Sequence, residues 1–272
     1  MPTFHRITWD FGVPEITDLQ MDVTVHNDPP GPPGTSAFQI ATVFFQLYDF
    51  RIFTDLPQFH GRGIYSYHGP QTNVFDANQR RWCGQGLLFS RFESSNPSDV
   101  KVVSGCWAEF PSPQQIQAEG GQFLGVRNSL TWGKGAYRFS LSPEKEDSAG
   151  IWYDFKGRDL GTGNSVSCGL LRFPTINGRR PLIPNSGSTW IEITPHHLLL
   201  ADCPFWHVTF DSVLANNGTI PAKTATANYA DDQAPAQNSD ISLAGMSGAL
   251  DFRIGQGVVR ATPKGTVLSL KL

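Results

Sequence analysis

The segment GIYSYHGPQTNVFD, residues 63–76, decides the fold class. Apolar and polar side chains alternate along its first half, as they do in a β-strand with one buried face. Gly69-Pro70 then breaks the alternation, and three hydrogen-bonding side chains, residues 71–73, follow the break. The pattern predicts a strand that bends at Gly69-Pro70, with Tyr65 and Tyr67 packed on it and polar side chains presented beyond the bend.

Runs rich in β-branched and aromatic residues recur along the chain, each closed by Gly, Pro, Asn or Asp. They are DLQMDVTVHND (18–28), AFQIATVFFQLYDFRIF (37–53), GQGLLFSRFE (84–93), GQFLGVR (121–127), GAYRFSLSP (135–143), GIWYDFKGRDL (150–160), VSCGLLRFP (166–174) and TWIEITP (189–195). This spacing predicts an all-β fold, an antiparallel β-sandwich of jelly-roll or concanavalin-like character with long loops. Helices are expected to be short at most. One is predicted at 112–120. Residues 194–203 fit either a second short helix or a strand that leads into a bend.

The length of 272 residues, 39% of them hydrophobic, suits one large all-β domain or two small ones. We expect a single β-sandwich domain over residues 1–272, with a seam near 195–204 and a polar loop at 216–240. Strand-like runs return at 248–272, and we expect them to close the same sandwich.

The formal net charge of -3, with no dense run of Lys or Arg, argues against a nucleic-acid partner. No stretch approaches about 18 consecutive apolar residues, so no membrane partner is expected. Residues 1–20 lack the charged and apolar regions of a signal peptide. We therefore expect a cytoplasmic protein, or a secreted one if a leader has been removed.

Metal and redox sites have little support in the linear sequence. The four cysteines show no CxxC spacing and are expected to be thiols. His196-His197, with Asp202 and His207 nearby, are interpreted as surface or core-edge residues, because adjacent side chains on a strand point to opposite faces. No metal ligand and no cofactor is therefore predicted. A structural calcium stays open, with Asp231-Asp232 and Asp240 as candidate loop acids.

The common catalytic templates are absent. The sequence has no GxSxG elbow, no HExxH, no Gly-rich loop before a helix and no EF-hand loop. A glycoside hydrolase needs two carboxyl groups about 5–10 Å apart, and no strand carries an E-x-D or E-x-E pair. A pair assembled from two strands would draw on four candidate catalytic residues, namely Glu93, Glu109, Asp154 and Glu192.

Ligand recognition fits the strand faces better. Several strands pair an apolar face with a face that carries Arg, Asp, Gln, Asn or Trp, which are groups that hold polar ligands. Arg and Trp also dominate recognition hot spots, and Trp recurs here beside acids and glycines. An ordinary solvated face with scattered aromatic residues is the alternative. The candidate ligand-binding residues are Tyr67, Gln71, Asn73, Arg91, Arg127, Trp132, Trp152 and Arg172.

Four pieces of the chain resemble an uncharacterised family of bacterial β-sandwich domains of concanavalin-like or jelly-roll character. They are GIYSYHGPQTNVFD (63–76), GQGLLFSRFE (84–93), GQFLGVRNSLTWGKGAYRFSLSPE (121–144) and AGIWYDFK with GLLRFP (149–156 and 169–174). The resemblance covers roughly residues 60–195. It implies the sandwich fold and supplies no catalytic motif.

Three functional hypotheses follow. The first is a lectin-like sandwich that binds a carbohydrate or similar polar small molecule on a concave face. The second is an enzyme on the same groove, either glycoside-active with two carboxylates or an intracellular biosynthetic cyclase or isomerase. The third is a structural or assembly protein whose exposed aromatic residues form a subunit interface, which leaves a homo-oligomer open.

Overall fold

The structure is a computed structural model that describes residues 5–29, 42–76, 79, 81–113, 116, 121–194, 203–229, 238–245 and 248–271. These residues form antiparallel strands arranged as a sandwich, so the all-β prediction is confirmed. Two short 3₁₀ helices, Pro57–Phe59 and Pro97–Asp99, lie between strands. Most of the turn predicted at 112–120, and residues 195–202, lie outside the described ranges. Within those ranges, no helix has the length and apolar character needed to cross a membrane.

The strand bounds follow the predicted runs. In chain order the strands are β1 His5–Asp10, β2 Glu15–Ile16, β3 Leu19–Val25, β4 Thr42–Ile52, β5 Ile64–Gln71, β6 Phe75–Asp76, β7 Arg81–Trp82, β8 Gly86–Phe92, β9 Val100–Lys101, β10 Cys106–Glu109, β11 Phe123–Ser129, β12 Gly135–Asp147, β13 Gly150–Asp159, β14 Ser165–Pro174, β15 Ile183–Pro184, β16 Ser188–Thr194, β17 Trp206–Ala215, β18 Ile220–Pro221, β19 Thr224–Tyr229, β20 Ser239–Ala244, β21 Ala249–Ile254 and β22 Val267–Ser269.

Two large sheets contain most of the strands. Sheet I has the order β10-β11-β8-β5-β4-β16-β1-β19-β22. Sheet II has the order β20-β21-β17-β3-β12-β13-β14-β9, with β18 paired to β17. The pairs β15-β2 and β6-β7 form two small ribbons. Strands beyond the predicted seam enter both sheets, since β19 pairs with β1 in sheet I and β17 pairs with β3 in sheet II.

The hydrophobic core lies between the two sheets. Phe45 of β4 meets Trp206 of β17 edge to face, with ring centroids 5.3 Å apart. His68 of β5 lies 4.7 Å from the ring of Phe155 in β13. Burial lowers the pKa of His68 to about 3, so the imidazole is a neutral member of the core. All four cysteines are free thiols, as the sequence predicts.

Strand β4 carries one extra residue near its middle. Phe44 and Tyr48, four positions apart in β4, pair with Gln71 and His68, which are only three positions apart in β5. The pairing with β16 shows the same surplus residue. Leu47 and Tyr48 are consecutive, and both belong to the core. This β-bulge turns Gln46 and Asp49, which flank it, toward the face of sheet I that is directed away from sheet II. We call that surface the outer face.

The bulge explains the Gly69-Pro70 break in β5. A Cβ atom on Gly69 would lie 1.9 Å from the carbonyl oxygen of Phe45 and 2.9 Å from the Cα of Gln46. Only glycine lets the two backbones approach so closely. Proline inside a sheet is confined to edges and bulges, and Pro70 lies opposite the irregular part of β4.

A methyl group at Gly69 is therefore expected to destabilise the fold. Gly69→Ala must push β5 away from the bulge, and we expect it to lower the free energy of unfolding by about 2 kcal/mol or more. Urea unfolding followed by tryptophan fluorescence measures the change.

The matched control is Gly121→Ala, because a Cβ at Gly121 would meet no atom within 4 Å. It should change stability by no more than about 0.5 kcal/mol. Equal stability of the two variants would show that the close approach at Gly69 does not constrain the fold.

Candidate functional site

Aromatic rings cover the middle of the outer face. Tyr67 of β5 lies 5.6 Å from Tyr65, 5.7 Å from Phe92 of β8 and 6.1 Å from Trp190 of β16, measured between ring centroids. Phe123 of β11 extends this aromatic cluster at 5.6 Å from Phe92. The alternation in GIYSYH thus places Tyr65 and Tyr67 on the outer face, while His68 enters the core.

Gln46 lies beside this cluster and has an unusual environment. It is completely buried, and neither amide atom has a hydrogen-bond partner among the described residues. Its position in β4 is opposite Trp190, and Glu192 follows two residues later on the same face of β16. Burying an amide without a hydrogen-bond partner costs about 1–3 kcal/mol, which makes Gln46 a candidate site residue.

Asp49 stands on the other side of the bulge. Its carboxylate accepts the Ser188 amide at 3.0 Å and the Tyr65 hydroxyl at 3.2 Å. Burial raises the pKa of Asp49, and the positive charge of Arg6 partly offsets that effect. Burial and the neighbouring Asp49 charge also raise the pKa of Tyr65. The bulge therefore gathers an unpartnered amide and a partly desolvated carboxyl group on one surface.

A buried ion pair lies at the edge of sheet I that is formed by β10 and β11. Glu109 of β10 bonds the guanidinium of Arg127 in β11, with side chains 8% and 9% exposed. Arg127 also donates to Ser90 Oγ at 3.3 Å. Gly125 leaves room for the guanidinium, because a Cβ there would lie 2.6 Å from its Nη1. These contacts make the pair a fixed part of the outer face.

A cleft of about 530 Å³ opens next to this ion pair, and we call it the indole cleft. Trp107 lines it two residues before Glu109, and Trp82 enters from the β6-β7 ribbon with 58% of its surface exposed. The indole N–H of Trp107 donates to the Phe75 carbonyl at 3.3 Å, and Trp82 packs edge to face on Phe75 with ring centroids 5.1 Å apart. The cleft is lined by Asp76, Gln79, Arg81, Trp82, Cys83, Gly105, Cys106, Trp107 and Ser129.

The polar groups of the indole cleft suit binding better than thiol chemistry. Asp76 Oδ1 accepts the backbone N–H of Gln79 at 3.1 Å. Arg81 is exposed at the cleft wall. Burial raises the pKa of Cys106, so this thiol is not activated as a nucleophile.

The four predicted catalytic carboxylates are not brought together. Glu109 on β10 and Glu192 on β16 share the outer face, but four strands separate them, which puts them on the order of 24 Å apart along the sheet. Asp154 lies on the far surface of sheet II, bonded to Ser167 at 2.6 Å and Lys156 at 3.2 Å. Glu93 is exposed in a turn with φ of 64°. Glu109 and Glu192 therefore lie well beyond glycosidase spacing, and Asp154 belongs to the other large sheet.

The predicted arginines at 91 and 172 meet at one carboxylate. Asp99, at the end of the second 3₁₀ helix, accepts Arg91 at 2.9 Å and Arg172 at 2.6 Å. The Arg91 side chain is 2% exposed, and burial lowers its pKa. Arg172 also covers the ring of Trp152 at 5.3 Å, on the outside of sheet II. This group ties the two sheets at one edge and does not face the aromatic cluster.

Three other predicted ligand-binding residues have structural partners. Trp132 is buried, and its indole N–H donates to the Gln71 carbonyl at 3.0 Å. Asn73 accepts the Gly84 amide at 3.0 Å and so closes the turn before β8. The Gln71 side chain itself is buried on the outer face, 4% exposed. Of the eight predicted ligand-binding residues, Tyr67, Gln71 and Arg127 lie on the outer face, and none lines the indole cleft.

Sequence reasoning missed Trp82, Trp107 and Gln46 as site residues. Trp82 stands on a two-residue strand, where no alternation reveals the face. Gln46 is turned outward in a long apolar run, and its burial without a partner has no linear signal. One available clue was the recurrence of Trp beside Gly and Asp or Glu, as in GCWAE at residues 105–109.

One group of three potential metal ligands occurs within the described ranges, namely His26, His207 and Asp251. It lies on sheet II, away from the outer face. His196-His197, Asp202 and Asp231-Asp232 fall outside the described residues. Asp240, a candidate calcium ligand, accepts the backbone amides of Ala261 at 3.0 Å and Thr262 at 2.9 Å.

Comparisons with known proteins give little further information. No protein-family model matches the chain, and no curated protein matches it. A structure of scytalido-glutamic peptidase with a peptide-based transition-state analogue is similar with a TM-score of 0.41 and 11% identity, over 92% of this chain and 97% of that one. A second structure of that peptidase, with a transition-state analogue inhibitor, gives 0.40 and 9% over the same shares. With TM-scores below 0.5, these similarities assign no function to this chain.

The Glu109–Arg127 pair is expected to respond strongly to loss of one partner. Arg127→Met leaves Glu109 buried without its counter-charge, which should lower the free energy of unfolding by about 3–5 kcal/mol. Glu109→Gln together with Arg127→Met removes both charges and should cost less than Arg127→Met alone. Urea unfolding of the three proteins gives the values.

Arg180→Met is the control, since its pair with Glu146 has side chains 52% and 45% exposed. Its effect should stay within about 1 kcal/mol. A loss for Arg127→Met no larger than that of Arg180→Met would mean that the ion pair is not buried in solution.

Proposed function

We propose that the protein binds a carbohydrate in the indole cleft. The observation that carries this proposal is the placement of Trp82, 58% exposed, with Trp107 in a cleft of about 530 Å³. Small-molecule sites are clefts of about 300–1,000 Å³ with aromatic walls and a few polar groups. A sugar ring offers an apolar C–H face to an indole and hydroxyl groups to planar polar side chains. The cleft supplies both kinds of partner.

The polar side chains of the cleft match a polyhydroxyl ligand. Gln79 and Arg81 line it and are exposed, and Asp76 lines it and is buried. An amide both donates and accepts hydrogen bonds, a guanidinium donates, and a carboxylate accepts. Adjacent sugar hydroxyls need donors and acceptors at once. The set therefore suits a neutral sugar, and the exposed Arg81 would also bind the carboxylate of an acidic sugar.

Binding should depend on Trp82. The purified protein is screened on a glycan array, and the strongest glycan is titrated by calorimetry. Trp82→Ala removes the exposed stacking surface and should weaken binding by about tenfold or more, equivalent to about 1.4 kcal/mol.

Trp152→Ala is the matched control, since Trp152 is half-buried on the outside of sheet II beneath Arg172. It should bind the glycan with wild-type affinity. Loss of binding in Trp152→Ala with full binding in Trp82→Ala would place the site on sheet II and overturn the proposal, as would the absence of any bound glycan.

The unpartnered Gln46 amide favours a second candidate function, hydrolysis of an amide or ester at the bulge. The register makes Gln46 and Glu192 diagonal neighbours on adjacent strands, with Cβ atoms about 7 Å apart. Glu192 would accept a proton from water as the water oxygen attacks the carbonyl carbon. Because Gln46 is completely buried, the substrate must first displace the side chains that cover it, and the Gln46 amide would then donate to the oxygen that gains negative charge. The bond from the former carbonyl carbon to the leaving nitrogen or oxygen then breaks, and the proton held by Glu192 passes to the leaving amine or alcohol.

Fluorogenic peptides and p-nitrophenyl esters test this second function across a range of pH. Glu192→Gln and Gln46→Leu should each lower turnover by about 100-fold or more, while the exposed Glu144→Gln retains it. Turnover that survives in Glu192→Gln, or no turnover in the wild-type protein, would contradict the hydrolytic role.

A further inference from the structure

Two histidines and an aspartate meet on the outside of sheet II, at the end farthest from the strands of the indole cleft. His26 follows the last residue of β3, and its backbone amide donates to the His207 carbonyl of β17 at 3.0 Å. Thr209 and Asp251 are paired in register between β17 and β21. Three neighbouring strands thus fix the backbone of every member of this group.

The side chains of the group converge on one point. The imidazoles of His26 and His207 are stacked, with centroids 4.0 Å apart and planes inclined by 14°. His26 Nε2 lies 2.7 Å from Thr209 Oγ1, and that hydroxyl donates to Asp251 Oδ1 at 2.7 Å. His207 Nε2 lies 2.9 Å from the same oxygen, Asp251 Oδ1. One potential ligand atom from each of His26, His207 and Asp251 lies within 4.8 Å of the other two.

We propose that His26, His207 and Asp251 bind one divalent transition-metal ion of the zinc class. Two imidazoles and a carboxylate form a ligand set that zinc takes in three-ligand sites, with water in the fourth position. Zinc holds nitrogen and oxygen ligands at about 2.0–2.2 Å, so the three atoms must draw closer than in the hydrogen-bonded network. His26 is exposed and lies at a strand end, which leaves its side chain room to turn toward the ion.

A neighbouring arginine orients the carboxylate for a single bond to the ion. Arg253 donates to Asp251 Oδ2 at 2.8 Å, which leaves Oδ1 directed toward the histidines. Outer contacts of this kind fix metal ligands and change metal affinity by about 10–100-fold. The positive charge of Arg253 also opposes a second cation, so the site suits one ion rather than a cluster.

The fourth coordination position has access to a cavity. A cleft of about 370 Å³ is lined by His207, Arg253 and Asp240 together with Phe205 and Val259, which are 46% and 74% exposed. A bound ion at His207 would therefore lie at the wall of an open cleft with an apolar rim. Structural zinc sites are closed, whereas an open position admits water or a second ligand. This site is independent of the carbohydrate proposal.

Calorimetric titration of the EDTA-treated, dialysed chain with zinc sulfate tests the site. We expect one ion per chain. His26→Gln, at an exposed position where folding is retained, and Asp251→Asn should each weaken zinc binding by about tenfold or more. The control is His60→Ala, because His60 is an exposed histidine in another part of the chain. Circular dichroism establishes that each variant is folded.

Cobalt gives an independent readout, since its visible absorption reports coordination by nitrogen and oxygen ligands. The wild-type spectrum should be lost in His207→Ala and kept in His60→Ala. Zinc binding at wild-type affinity in both His26→Gln and Asp251→Asn would overturn the proposal. Binding that is lost only when His196 and His197 are changed to Ala would overturn it as well, and so would the absence of binding by the wild-type chain.

Discussion

One steric constraint organises sheet I, namely the approach of the β4 bulge to Gly69 of β5. The Phe45 carbonyl occupies the space that any side chain at Gly69 would need, since a Cβ there would lie 1.9 Å from that oxygen. The surplus residue in β4 sends both Leu47 and Tyr48 into the core. The Tyr48 hydroxyl donates to the Pro184 carbonyl at 3.0 Å and accepts the Gly187 amide at 2.9 Å, which anchors the chain as it enters β16. Strands β4, β5 and β16 thus depend on one irregularity.

The strand pattern was enough to predict the all-β fold. The bulge, however, reverses which residues face the core, and alternation alone does not predict it. Strict alternation in TVFFQLYDFRI would put Asp49 and Arg51 on the same face as the core residue Phe45. The extra residue reverses the faces, so Asp49 is turned outward and Phe50 inward. Nothing in the linear sequence marks a bulge except the Gly-Pro pair on the neighbouring strand. Asp49 was for that reason absent from the predicted site.

The arginines that the sequence predicted as ligand-binding residues did not identify the candidate site, and the reason is energetic. A buried charge is costly unless it is paired, so a sandwich with buried arginines holds them in ion pairs. Arg127 is paired with Glu109, and Arg91 and Arg172 share Asp99. Their positions in aromatic strands predicted ligand contacts, but their described partners are carboxylates of the chain itself. The indole of Trp82, by contrast, is largely exposed, because Phe75 covers only part of its surface. This uncovered aromatic surface in a cleft is the observation on which the proposed binding site rests.

The two large sheets carry different chemistry on their outward faces. Sheet I presents aromatic rings, an unpartnered amide and the indole cleft, whereas sheet II presents a network of ionisable side chains that includes His26, His207 and Asp251. We propose that ligand recognition occurs at the indole cleft of sheet I. The seven tryptophans each give one indole N–H signal in a ¹⁵N-correlated NMR spectrum, which single Trp→Phe variants assign. On addition of the bound glycan, the signals of Trp82 and Trp107 should shift while those of the buried Trp9, Trp132 and Trp206 stay in place. Shifts confined to Trp152 or Trp190, with Trp82 and Trp107 unchanged, would contradict the account.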